Sequence, residues 1–185
     1  MPKQLTKVHF EQLWNNHPTV AGVSEPCSTG GKPNYHDQCA IRMGVCLTKS
    51  GFDLAQIKAP SKLAFCAFHD RKEGHTLRAE QLARGLIHFP DLYQAGVAPK
   101  EDITPKGFRD AIKDRTGIIF FADYWERAGE SFQSRSGDHI DLWNGERLTK
   151  WISYLRILLN ISGHNRFIDW SSFEDSKQVW FWEVT

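Results

Sequence analysis

Gly117-Ile118-Ile119-Phe120-Phe121-Ala122 is a short, unbroken apolar run rich in β-branched and aromatic residues, the pattern of a strand covered on both faces. The chain ahead of it reads as helix. Residues 7–16 carry Phe10, Leu13 and Trp14 at i, i+3 and i+4, with Pro18 as a stop, and a second helix begins near Cys39, with Met43, Cys46 and Leu47 on one face and Gly51 at its end. Thr76 is placed to cap a third helix bearing Ala79, Leu82, Ala83 and Leu86, and Thr104-Pro105 to open a fourth bearing Phe108, Ala111 and Ile112. The chain beyond it reads mainly as strand. Residues 138–143 form one, Asn144-Gly145 is a two-residue hairpin signal with a partner starting at Glu146, and residues 179–184 close the chain as a Trp/Phe-rich strand. Leu148, Trp151, Ile152, Leu155, Leu158 and Leu159 keep helical spacing, so the second hairpin strand must be very short before an amphipathic helix takes over. Helices clustered ahead of the sheet residues predict an α+β fold, helices packed on a small antiparallel sheet.

With 185 residues, 41% of them hydrophobic and 24% charged, the chain can bury one core, and a single domain over residues 1–185 is expected. Lys and Arg total 23 against 22 acidic residues, a formal charge of +1 that leaves no electrostatic footprint for a phosphate backbone, so nucleic acid is not an expected partner. No run approaches the roughly 18 to 20 apolar residues that span a bilayer, and residues 1–16 are broken by charges rather than carrying a signal-peptide stretch. The expectation is a soluble chain with no Sec-type signal and no membrane insertion. Residues 24–33, rich in Ser, Gly and Pro, read as a surface loop inside the domain.

The four cysteines, Cys27, Cys39, Cys46 and Cys66, are too few for a disulfide scaffold and include no CxxC. Cys39 and Cys46 on one helix would lie about 10 Å apart along its axis, beyond disulfide reach. Cys66, in Leu63-Ala64-Phe65-Cys66-Ala67-Phe68, reads as a small buried hydrophobe, while a bridge from Cys27 to Cys46 or Cys66 stays open. In Asn34-Tyr35-His36-Asp37-Gln38-Cys39-Ala40-Ile41-Arg42-Met43 a cysteine follows a polar loop and enters the first turn of a helix. There the unpaired amides and the positive end of the helix dipole favour a thiolate, more so beside an imidazole. A buried helix cysteine is the plainer alternative. His36 with Cys39 could form half of a zinc site, but the spacing supplies no second half.

The second constellation is Ser136-Gly137-Asp138-His139-Ile140-Asp141-Leu142-Trp143-Asn144-Gly145, where a strand would point His139, Asp141 and Trp143 to one face. Cys/His chemistry needs an imidazole that reaches the sulfur and a third polar group that holds its other nitrogen. Asp141 is awkward for that task, since i and i+2 lie about 6.5 Å apart on a strand and a neighbouring strand would offer better geometry. His9, His17, His69, His75, His88 and His164 have no comparable surroundings and read as surface or packing residues.

Taken together, Gln38-Cys39-Ala40-Ile41-Arg42-Met43 and Gly137-Asp138-His139-Ile140-Asp141-Leu142-Trp143-Asn144-Gly145 resemble the fourth family of type VI secretion amidase effectors, and the element order and length extend the resemblance over the whole chain. It implies a papain-like, NlpC-type cysteine amidase, injected by type VI secretion into the periplasm of a competing bacterium. There it would act as an antibacterial toxin, a DL-endopeptidase that cuts peptidoglycan stem peptides between D-glutamate and meso-diaminopimelate. The resemblance assigns the nucleophile to Cys39 and the general base to His139, needs no metal or organic cofactor, and implies a cognate immunity protein as inhibitor. The family's third catalytic residue is an aspartate further along, and the matching position here is Lys150. Asp141, another polar residue, or a bare Cys/His dyad remain the choices. Rival readings are a catalytically silent wall-binding module in which Trp143, Trp180 and Trp182 stack on sugar or stem peptide, and a papain-like peptidase or transamidase acting on protein.

Overall fold

Successive side chains of the central strands turn into two different cores, and that alternation of face sets the architecture. A computed structural model describes residues 6–58, 62–125, 127, 129–134, 136–149 and 173–185. In order it contains α1 (Phe10–Asn16), β1 (Ser28–Thr29), β2 (Lys32–Pro33), α2 (Cys39–Lys49), α3 (Ala79–Ile87), α4 (Pro90–Gln94), β3 (Glu101–Ile103), α5 (Phe108–Ala111), β4 (Gly117–Trp125), β5 (Gly137–Trp143) and β6 (Gln178–Glu183). Strands β3-β6-β4-β5 make one antiparallel sheet, and β1 and β2 a two-stranded ribbon.

Ile118 pairs with Leu142 and Trp182, and Phe120 with Ile140 and Trp180. These six side chains meet Leu13 of α1, Met43, Cys46 and Leu47 of α2, and Leu82 and Leu86 of α3 in the larger core. The intervening residues Ile119 and Phe121, with Trp143, Val179 and Phe181, face the other way and pack with Phe108, Ile112 and Phe173 in a second core. The apolar run from Gly117 is therefore a strand covered on both faces. Tightest of all is the approach of α2 to the loop ahead of α3: a Cβ at Gly44 would stand 2.0 Å from the carbonyl oxygen of Gly74 and 2.7 Å from Thr76 Oγ1. Only glycine permits that contact.

Several local expectations are corrected. Thr76 does not cap α3; its hydroxyl donates to the carbonyl of Ala40 at 2.8 Å, tying the segment to α2 instead. Thr104-Pro105 does not open α5, which begins after Gly107 in the left-handed conformation and runs four residues. The Asn144-Gly145 turn spans four residues, with Asn144 N–H donating to Arg147 C=O at 3.1 Å, and its partner strand is one bridge, Trp143 to Leu148, rather than a strand from Glu146. Asn144 Oδ1 accepts from the backbone N–H of Glu146 and Arg147, and this side-chain turn outcompetes the tight hairpin. Helix α4 and strand β3 carry too little periodicity to be foreseen. The helix expected beyond Leu148, and Lys150 with it, falls outside the described residues. All four cysteines are free. Among the described residues no helix is long and apolar enough to cross a membrane.

Candidate active site

Helix α2 begins at Cys39 and packs against β5, the strand at the sheet edge. Gln38 directly before it is buried, and its side chain is fully used: Oε1 accepts from Cys27 N–H at 2.9 Å, while Nε2 donates to the carbonyls of Cys27 and Tyr35, each at 3.1 Å. The loop entering the helix is thereby pinned, and Cys39 takes the first helical position with its side chain half-buried. Its Sγ lies 4.0 Å from the carbonyl oxygen of Asp138.

His139 comes from β5, and its imidazole and the Cys39 sulfur are near enough to shift each other's titration. Phe121, Tyr124 and Phe173 surround the ring, with centroids 6.5, 6.1 and 5.6 Å away. His139 Nε2 lies 3.5 Å from Asp141 Oδ2, so the same-strand neighbour that looked awkward does reach the ring. Asp141 is buried and held in place on its other oxygen: Oδ1 accepts from Thr149 Oγ1 at 2.6 Å and from Leu142 N–H at 2.8 Å, and faces His17 Nε2 at 3.5 Å.

The charges follow from this arrangement. Burial pushes the Cys39 thiol up, but interaction with the His139 ring and its charge, the Ile140 backbone and Arg42 together bring it below its ordinary value. Burial would lower His139, yet contact with Asp141 and Cys39 lifts it to about 9. Burial opposes ionisation of Asp141 as well, and His139, His17 and Thr149 overcome it, holding the carboxyl at about 2. His17, driven down to about 4 mainly by burial, stays neutral. The lowered thiol, the raised imidazole and the ionised carboxyl all shift the site toward a thiolate–imidazolium pair beside a carboxylate, the direction in which a cysteine nucleophile is activated.

Of the residues singled out by sequence, Cys39, His139 and Asp141 come together. His36 does not: its ring is exposed, faces Asp37 at 3.2 Å, and makes no half-site with Cys39. His17 and Thr149 were missed, because each meets Asp141 only through folding. The tryptophans proposed as a stacking surface are core residues: Trp143 and Trp182 are buried, and Trp180 is buried with Arg84 and Lys100 over its ring. Beside the site, Asp138 lines a pocket with Glu80, Arg84, Lys177 and Trp180, and burial lifts its carboxyl to about 6.

The sequence model of a family described as type VI secretion system (T6SS), amidase effector protein 4, Tae4, matches residues 35–182, a span that includes the whole site. The chain belongs to this family. It is an amidase, and so an enzyme, of the effector class of type VI secretion. Among solved structures it is similar to Tae4 from Enterobacter cloacae, with 18% identity, a TM-score of 0.53, and 97% of this chain and 99% of that one covered. It is also similar to the Salmonella typhimurium Tae4/Tai4 effector–immunity system, with 17% identity, a TM-score of 0.56, and coverage of 97% and 100%. A third is Salmonella typhimurium Tae4 in complex with the immunity protein Tai4 from Enterobacter cloacae, with 18% identity, a TM-score of 0.53, and coverage of 95% and 98%. At such identities the likeness carries the fold, which is the α+β, papain-like, NlpC-type fold of these Tae4 effectors. No curated protein matches this sequence.

Proposed function

We propose that this amidase effector hydrolyses the D-glutamyl–meso-diaminopimelate amide of peptidoglycan stem peptides, with Cys39 as nucleophile, His139 as general acid and base, and Asp141 as the group that orients His139. The observation that carries the reading is the contact chain Cys39, His139, Asp141 at the start of a helix, with opposed shifts of the first two titrations. The thiolate attacks the amide carbonyl carbon. First-turn amides of a helix have no intrahelical acceptor, so the Cys39 N–H is available to the developing oxyanion. The Gln38 amide, committed to Cys27 and Tyr35, is not. His139 gives its proton to the leaving amine as the C–N bond breaks, then takes one from the water that cleaves the thioester. Asp141 holds one ring nitrogen and leaves the other to the sulfur.

In this reading residues 1–185 form one domain, type VI secretion delivers it, and it works in the periplasm of the target cell. An immunity protein, of the kind seen with the Salmonella relative, stops it by covering the Cys39 cleft. The catalytic part is tested by alkylation and substrate choice. Cys39 should react with iodoacetamide near neutral pH much faster than Cys27, Cys46 or Cys66, and a stem tetrapeptide should be cleaved where casein is not. Equal labelling of the four, or cleavage of casein alone, contradicts it. The partner claim is tested by timing Cys39 alkylation with and without the product of the neighbouring gene. Protection with loss of hydrolysis supports occlusion, and binding that changes neither removes it.

A further inference from the structure

Away from the Cys39 site, Cys27, Cys66, His69 and His75 converge: one ligand atom from each lies within 4.8 Å of all the others. Nδ1 of His69 stands 3.6 Å from Cys27 Sγ and 3.3 Å from Cys66 Sγ. The two imidazoles stack with centroids 3.7 Å apart. Cys27, Cys66 and His75 are buried, and His69 is half-buried. Nδ1 of His75 is buried with no hydrogen-bond partner among the described residues, a costly omission for a polar atom inside a protein.

Two thiols and two imidazoles in such a knot have a shared use. A tetrahedral zinc ion with bonds of about 2.3 Å to sulfur and 2.0–2.1 Å to nitrogen sets its ligand atoms roughly 3.3 to 3.8 Å apart. The S···N separations of 3.6 and 3.3 Å at His69 fall in that range. Mixed thiolate and imidazole ligands also suit zinc better than the hard cations, which take oxygen. We infer that Cys27, Cys66, His69 and His75 form a closed Cys2His2 zinc site. On binding, the two thiols release their protons, and both sulfurs and one nitrogen of each ring become ligands. Four protein ligands leave no open position, so the ion is structural. A Cys27–Cys66 disulfide would use the same sulfurs but leave the His75 nitrogen unpartnered.

The site has a mechanical position. Cys27 is the residue whose backbone N–H and C=O hold the Gln38 side chain, next to Cys39. Cys66 and His75 lie on paired segments, joined by the Phe65–Thr76 bridge and by Cys66 N–H donating to His75 C=O at 3.0 Å. The same segments hold α2 through Thr76 and Ala40. An ion there would tie the loop entering α2 to the segments that brace it, and hold the start of that helix from two sides. Cys27 precedes the span matched by the family model.

The inference stands whether or not Cys39 is the nucleophile, and its test begins from the chain with Cys39→Ala, which removes a half-buried sulfur outside the cluster as a competing ligand. Protein purified from zinc-supplemented cells and gel-filtered is assayed for metal by mass spectrometry. About one zinc per chain is expected, released by a mercurial, and near zero in a background that adds Cys27→Ser and Cys66→Ser. Because the triple variant could fail to fold, the Cys39→Ala chain is also stripped with a chelator and titrated with Co²⁺. Visible bands of a tetrahedral cobalt–thiolate centre and recovery of the chelator-lowered unfolding temperature support the site. Folded, reduced protein that takes up neither ion, a Cys27–Cys66 disulfide in the protein as purified, or zinc retained by the triple variant overturns it.

Discussion

Cys39 and His139 push each other's titration in opposite directions, and the rate should show both. As pH falls through the lowered Cys39 value the thiolate is lost, and as pH rises through about 9 the imidazolium loses the proton it must give to the leaving amine. A bell-shaped kcat/KM profile is expected, with an alkaline limb near pH 9, and the two limbs belong to the coupled pair. Asp141→Asn keeps an acceptor for Thr149 and Leu142 N–H but removes the charge facing His139. It should lower kcat by on the order of 10²–10⁴-fold, change KM little and move the alkaline limb to lower pH. A profile left in place would show that another group orients the ring. A helix start and a strand next to a carboxylate are local signals that made Cys39 and His139 candidates, while a buried helix cysteine and a structural histidine fitted the same signals and the roles came from the family resemblance. His17 and Thr149 were not candidates, since nothing near either residue announces a buried carboxylate that reaches it only through the tertiary fold.

Helix α2, which carries Cys39, depends on how closely it can approach the loop before α3. Gly44→Ala would press a methyl against the Gly74 carbonyl and the Thr76 hydroxyl, and backbone cannot step aside as a side-chain tip can. Overpacking of this kind costs about 1–3 kcal/mol, to be read as a lower urea midpoint at unchanged slope, with activity lost in parallel because Cys39 shifts with α2. An unchanged midpoint would mean that the contact is slack. Legibility at this scale tracks burial. Helices α2 and α3 and strands β4, β5 and β6 each set a full apolar stripe or alternation into a core, so the sequence shows them. Thr76 and Thr104 resemble helix starts in isolation, but the Ala40 carbonyl takes the first hydroxyl and Gly107 sets the entry to α5. Local capping preferences amount to about 1 kcal/mol, and tertiary contacts outweigh them.

For the molecule as a whole, the α+β class and the order of helix before sheet follow from one change of period at Gly117, which the sequence displays openly. The Cys27, Cys66, His69 and His75 cluster does not, because its members are scattered and only the packing of two segments against α2 assembles them. The same packing seats Cys39 against β5, so fold and chemistry rest on the same contacts. Hydrolysis by that single sulfur is the central claim, and mass spectrometry of peptidoglycan fragments after digestion with the wild-type chain and with Cys39→Ala tests it most directly. The account predicts products ending at D-glutamate, with a new amine on diaminopimelate, from the wild type alone, while Cys39→Ala keeps the wild-type unfolding curve. The same fragments from a folded Cys39→Ala, or wild-type cleavage at a different bond, would contradict it.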